Sequence, residues 1–322
     1  MENSVDAATL GELMPVVERV RSAIGSVIEG KAAAIDLALT VLLAQGHLLL
    51  EDVPGVGKTM LAKALGRSID CQVRRIQFTP DLLPADITGV SIFNQHTADF
   101  EFKPGGIFAN IVVGDEINRA SPKTQSALLE AMEEGQVSVD GTTHVLDAPF
   151  MVVATQNPIE MEGTYPLPES QRDRFMARLE MGYPTLAAEL DMMENHGSSN
   201  PLERLQPVTD AAAVVRLAVA IRSIHCSASL KVYLASVVAA TRNARDLRLG
   251  ASPRATLQLL RAVRAKAALA GRDYVIPDDV DELAYPVLAH RMLPSSEAQV
   301  DRKHMREIVS QIVRAVPIPD RR

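Results

Sequence analysis

The sequence predicts an α/β fold, a parallel sheet covered by helices and carrying a phosphate-binding loop, followed by an all-helical domain. Three observations predict it. Short apolar runs, starting at His47 and recurring at 71–78, 109–114, 150–155 and 178–181, alternate with helical or irregular stretches, as in a parallel sheet buried on both faces. The first run leads straight into a glycine-rich turn and then a helical segment from Met60 to Leu65. Beyond a polar, breaker-rich stretch at 194–207 the pattern is helical to the end.

In chain order, residues 7–26 place Leu10, Leu13, Val16, Val17, Val20 and Ile24 close to one helical stripe. Gly30 breaks the chain, and residues 31–45 form a second helix, apolar around most of its circumference and therefore buried, with Gly46 as its C-terminal cap. Two excursions interrupt the sheet-and-helix plan. Residues 79–107 hold two alternating pieces, 90–94 and 98–102, that can pair as a hairpin. Residues 136–147 form a stronger hairpin, because Asp140-Gly141 is a favoured tight-turn pair between alternating strands. Long excursions from a compact core usually carry function.

The organisation expected is a nucleotide-binding core over 1–193, a linker over 194–207 and a helical domain over 208–322. In the last, Thr209 or Asp210 starts one helix and residues 228–245 form another. Ser252-Pro253 opens a third, with Ser as N-cap and Pro at the first helical position. The third helix repeats Leu257, Leu260, Val263 and Ala267 on one face, with Gly271 just past its end. Pro277 opens a fourth, and residues 303–315 make the last.

Composition bounds the rest. Hydrophobic residues make up 47% of the 322 and charged residues 23%, so real cores can form. Cys71 and Cys226 stand far apart with no metal-ligand spacing and suggest no disulfide framework. The acidic N-terminus is no signal peptide, and the longest apolar stretch, 32–50, is broken by Asp36, Gln45 and Gly46, so neither secretion nor a membrane span is expected. The simplest compartment is the cytoplasm. Net charge is −7 but uneven: residues 1–200 hold 14 Lys and Arg against 28 Asp and Glu, residues 201–322 hold 19 against 12. Two differently solvated surfaces would account for this; so would a basic half of one subunit docking on the acidic half of another. The overall acidity argues against a dedicated duplex-DNA binder.

Chemistry concentrates in a few stretches. Pro54, Gly55, Val56, Gly57, Lys58, Thr59 and Met60 read as a phosphate cradle: glycines let backbone N–H groups close on oxygens, the following helix points its positive end at them, Lys58 supplies charge and Thr59 a hydroxyl for Mg²⁺. Asp52 stands where the usual pattern has its first glycine, and aspartate tolerates tight-turn angles better than most residues. The strand 110–116 ends in Asp115 and Glu116, at the edge where ligands of parallel sheets bind; Asp115 can reach the metal shell and Glu116 can polarise a water. Gly114 departs from the larger apolar residue usual before the acids. Asn157 ends another apolar strand and can orient water, although Asn-Pro alone is only a turn. Arg172 and Arg174 end a short helix, and either could stabilise transition-state charge at another subunit's γ-phosphate. Arg254 lies in the first turn of its helix, against the helix dipole, which marks it as an anion contact.

With these stretches in view the chain resembles a MoxR-type AAA+ ATPase over roughly residues 20–315, most specifically at "GHLLLEDVPGVGKT", "GDEINRASPKTQSALLEAMEEGQVSVDG", "ATQNPIEMEGTYPLPESQRDRF" and "GASPRA". The resemblance implies Walker A at Gly55, Gly57, Lys58 and Thr59, Walker B at Asp115 with catalytic Glu116, sensor 1 at Asn157, an arginine finger at Arg174 with Arg172 its near competitor, and sensor 2 at Arg254. It makes 79–107 the insert in the second helix and 136–147 the pre-sensor hairpin. It leaves open whether Arg254 acts on its own nucleotide or a neighbour's. It further implies ATP and Mg²⁺, a homo-oligomeric ring of six, and work on client proteins with von Willebrand factor A domain partners in metal or cofactor insertion. A DNA-dependent motor or loader and a P-loop phosphotransferase are the alternatives.

Overall fold

A computed structural model describes residues 7–53, 55–157, 164–186, 189–190, 193 and 201–318. Five parallel strands form the central sheet: β1 (Leu48–Glu51), β2 (Val73–Gln77), β5 (Ile111–Asp115), β8 (Met151–Gln156) and β9 (Ala177–Leu179), in the order β2-β5-β8-β1-β9. Period-two alternation assigns each side chain to a face. Leu48, Leu50, Ile111, Val113, Met151 and Val153 enter one buried cluster, whereas Leu49, Val112, Val152 and Ala154 enter the other. All five strands run the same way, with Leu48 beside Val153 and Ala177, and Val73 beside Ile111, so their carboxyl ends share one edge.

On the first face lie α1 (Ala7–Gly25), α2 (Ala32–Leu43) and α3 (Lys58–Ser68). Their cluster continues without a break into the C-terminal helices, from Val17 and Ile24 through Val263 and Leu288 to Val313. The second face is covered by α4 (Pro84–Thr88) and α5 (Pro122–Glu134). Both hairpins are present: β3 (Val90–Asn94) with β4 (Asp99–Lys103), and β6 (Gln136–Val139) with β7 (Thr142–Val145). Asp140 and Gly141 take φ of 50° and 79°, the two left-handed positions a two-residue hairpin turn needs.

The C-terminal helices are α7 (Pro201–Arg204), α8 (Ala211–Ile221), α9 (Ala228–Arg242), α10 (Pro253–Leu269), α11 (Pro277–Leu288), α12 (Ser296–Val300) and α13 (Met305–Ala315), numbered after the short α6 (Glu169–Arg172) of the core. Asp210, Ser227 and Ser252 accept the backbone N–H three residues on, from Ala213, Leu230 and Ala255.

Several local expectations need correction. The left-handed residue after α2 is Gln45, φ 54°, not Gly46, whose N–H closes the turn on Val41 O at 2.8 Å. Gly46 is small for another reason: a Cβ there would stand 2.6 Å from Met176 Cβ. In α10 the buried face is Ala255, Leu259, Ala262 and Val263, while Leu257 is 65% exposed. The C-terminal region is not wholly helical, since β10 (Leu247–Leu249) pairs antiparallel with β11 (Leu293–Pro294). Residues 194–200 of the expected linker lie outside the described residues; 201–207 pack on α3, where Arg67 Nε donates to Leu205 O at 2.8 Å.

Candidate functional site

Along the carboxyl edge of the sheet stand, in order of the strands, Gln77, Asp115 with Glu116, Asn157, and the loop leaving β1. Gly55 and Gly57 take φ of 84° and 89°, angles a side chain would strain, and Gly57 caps the start of α3. Val56 and Met60 are partly buried against the first-face cluster, and Pro54 lies outside the described residues. Lys58 Nζ donates to Asp52 O at 2.6 Å and Val53 O at 3.3 Å, which folds the loop over the first turn of its own helix.

Asp52 is not among the residues with positive φ. The left-handed tolerance that would excuse an aspartate here is therefore not needed. Its carboxylate instead accepts Val53 N at 2.8 Å and Gly182 N at 2.5 Å, tying the loop to the chain leaving β9. Gly114 also has a local reason: a Cβ would come within 3.2 Å of the wholly buried Phe78 ring.

Thr59 and the acid pair meet directly. Thr59 Oγ1 donates to Asp115 Oδ1 and Oδ2 at 3.4 and 3.3 Å. Residues that sequence reasoning passed over complete the arrangement. Thr155 Oγ1 donates to Asp115 Oδ1 at 3.1 Å and accepts Glu116 N at 3.0 Å. Arg75 Nε donates to Asp115 Oδ2 at 2.5 Å, and Gln77 Nε2 to Glu116 Oε2 at 2.9 Å. Arg119 Nε lies 3.2 Å from the same Glu116 oxygen. Glu116 itself has φ of 58°, a strained angle for a non-glycine residue, held by these contacts. Arg75 and Gln77 were findable, because polar residues at the end of a strand in a parallel sheet reach the ligand edge. Asn157 is buried at the end of β8, beside the acid pair. A hydroxyl and a carboxylate are hard oxygen donors of the kind Mg²⁺ takes.

The arginines are elsewhere. Arg174 precedes β9 and so lies at the amino edge of the sheet, with the length of the strands between it and Asn157 and Glu116. Arg254, in the first turn of α10, is beside it: Arg174 Nε is 3.3 Å from Glu133 Oε2, and an Arg254 terminal nitrogen pairs with Glu133 Oε1. A cleft of about 580 Å³ opens there, lined by His47, Glu133, Phe150, Arg174, Arg254 and Arg261 among others. Arg172 does not enter it; its Nη2 is turned onto Glu169, 3.7 Å away.

The segment bearing Arg174 takes its bonds from the C-terminal helices. Ser252 Oγ donates to Asp173 at 2.9 Å and Arg291 Nη1 to Asp173 Oδ1 at 3.0 Å, while His290 Nε2 bonds Phe175 O at 3.0 Å. Arg291 is 2% exposed and also donates to Phe175 O. Burial pulls its pKa down to about 10, against the opposing pull of Asp173.

Comparison with known proteins follows the same division. Residues 47–177 match the ATPase family associated with various cellular activities (AAA), and residues 239–312 match the AAA lid domain. An uncharacterized Bacillus subtilis protein, YeaC, is 50% identical over 97% of each chain. Chaperone MoxR1 of Mycobacterium tuberculosis is 39% identical over 94% of this chain and 82% of its own. A crystal structure of a Cytophaga hutchinsonii protein assigned as an ATPase superposes with a TM-score of 0.91 at 39% identity, covering 97% of this chain and 98% of that one. No helix among the described residues is long and apolar enough to cross a membrane.

Proposed function

The chain belongs to the MoxR family of AAA+ ATPases, and from that premise we propose that it hydrolyses ATP at sites shared between subunits of a ring and uses the energy to remodel or mature client proteins. The observation that supports this best is the separation of its parts. Lys58, Thr59, Asp115, Glu116 and Asn157 occupy one edge of the sheet, Arg174 and Arg254 the other. One chain cannot bring both sets to one triphosphate, whereas a head-to-tail ring can. Arg254 then serves a neighbour's nucleotide, and Arg174 rather than Arg172 is the finger.

In this reading the amides from Gly55 to Thr59 and the Lys58 ammonium cradle the phosphates. Thr59 and Asp115 would hold Mg²⁺, which neutralises charge on the phosphate oxygens when bound. Glu116 takes a proton from the attacking water and Asn157 orients that water. Thr155 ties the Asp115 carboxylate to the Glu116 backbone amide, while Gln77 and Arg119 hold the Glu116 carboxylate. Arg174 and Arg254 of the adjoining subunit meet charge on the transferring phosphoryl group. Protein clients, rather than nucleic acid, accord with the overall acidity and with the relative named as a chaperone. Six subunits, a von Willebrand factor A domain partner, metal or cofactor insertion as the task, and a cytoplasmic setting are parts of the same proposal.

The Glu116→Gln protein is expected to bind ATP but turn it over about 10²–10⁴-fold more slowly, and Lys58→Ala to lose binding. Mixing the Arg174→Ala and Glu116→Gln proteins is expected to restore turnover that neither has alone, because a site needs its glutamate from one chain and its arginine from the next. Unchanged turnover in Glu116→Gln sinks the base assignment, and additive activity in the mixture sinks the shared site.

A further inference from the structure

Two charges that their own helices disfavour lie side by side in this molecule. Arg254 lies at the N-terminal end of α10, and Glu133 lies in the last turn of α5, next to Glu134. The helix dipole opposes both. They meet each other, and Arg174 joins them, so one carboxylate lies between two guanidiniums. Without it the two cations, delivered by separate segments, repel each other across the cleft. Arg174 Nε lies 3.3 Å from Glu133 Oε2, and an Arg254 terminal nitrogen donates to Glu133 Oε1. With the carboxylate nearest Nε, the planar terminal N–H pair of Arg174 is the part suited to bidentate contact with phosphate.

We propose that Glu133 is a positioning residue for the ATPase: it backs Arg174 and Arg254 and holds them as one paired anion-binding fork aimed at the phosphate of the adjoining subunit's nucleotide. The proposal rests on the reading of these arginines as acting on a neighbour. Glu133 touches no phosphate itself. It cancels part of the repulsion between the two cations and fixes their planes, so that the fork is already formed when subunits dock. The triad keeps a net positive charge, which suits a triphosphate and leaves the carboxylate behind the arginines.

Glu133→Gln keeps the side chain's length and one acceptor but loses its charge, and Glu133→Ala removes both contacts. Turnover per site is expected to fall at least about tenfold in Glu133→Ala, part of the 10³–10⁵ an arginine finger supplies, and less in Glu133→Gln. Affinity for a fluorescent ATP analogue at the subunit's own loop should not change. A loss of packing would not be repaired by another chain, but a misplaced fork would be. Mixing Glu133→Ala with Glu116→Gln subunits is therefore expected to restore turnover, because Glu116→Gln chains supply well-placed arginines to Glu133→Ala sites. If Glu133→Ala does not fold, Glu133→Gln carries the same mixture. Wild-type turnover in the single variant, or a loss that Glu116→Gln subunits do not restore, overturns the role of Glu133. The Arg174→Ala mixture run in parallel separates the two ideas: if it also fails, the shared site itself is wrong; if it succeeds, only Glu133 is misassigned.

Discussion

His47, the residue before β1, has both ring nitrogens committed: Nε2 lies 2.9 Å from Met132 O, and Nδ1 accepts Val152 N at 3.0 Å. Nδ1 must therefore be the unprotonated nitrogen, and the ring is neutral. Burial pulls its pKa from 6.5 to about 4, with the Arg261 charge adding to the drop and the Met132 bond opposing it. Between those values the unfolded chain binds the proton and the folded chain does not. The stability this histidine contributes is whole above pH 6.5 and is lost as pH falls towards 4, in all about 3 kcal/mol. Replacing His47 with Gln should flatten the pH dependence of the urea midpoint between pH 4 and 6.5 by about one proton; an unchanged slope would show that His47 is not the titrating group. Buried His290 has the same sign and leaves a remaining slope. None of this was readable in the sequence, where His47 is one letter before an apolar run. The placement of Lys58, Thr59, Asp115 and Glu116 at one edge of the sheet was readable, because each ends or closely follows one of its strands.

Helix α10 shows what an element can and cannot reveal. Ser252-Pro253 announced its start, and the cap is where the pattern put it. Its face was misjudged, since a four-position apolar repeat cannot say which side of the helix has a neighbour. Leu257 faces the arginine cleft instead of the core. The same hydroxyl that caps α10 also bonds Asp173, the residue before Arg174. That contact joins positions 79 apart in the chain, and no local pattern encodes it. Ser252→Ala therefore removes two interactions. It should lower unfolding free energy by about 1–2 kcal/mol and also reduce turnover. Restored stability in Ser252→Gly, a tolerated cap, without restored turnover would separate the cap from the Asp173 contact, whereas full turnover in Ser252→Ala would exclude that contact from function.

At the scale of the whole molecule, the parallel sheet, both hairpins and the mainly helical C-terminal region followed from periodicity and turn residues, whereas the strand order β2-β5-β8-β1-β9 is set by long-range pairing. The convergence of Arg174 and Arg254 did not, because it depends on how the C-terminal helices lie against the amino edge of the sheet. The charge asymmetry of the chain acquires a use in the proposed ring, where residues 201–322 with 19 Lys and Arg face residues 1–200 with 28 Asp and Glu on the next subunit. Such contacts are screened over about 8 Å at physiological salt and about 3 Å at 1 M. Sedimentation of the ATP-bound Glu116→Gln protein should show the assembly dissociating as salt rises from about 0.05 to 0.5 M; an assembly indifferent to salt would show that the asymmetry is only two solvated surfaces.

The bonds from Ser252, His290 and Arg291 to Asp173 and Phe175 have a further consequence. In the proposed ring, Arg174, fastened in this way to its own C-terminal helices, would report their position to the next subunit and to no other. In that ring such messages would travel one way round, so the firing of one site would be heard downstream before it is heard upstream.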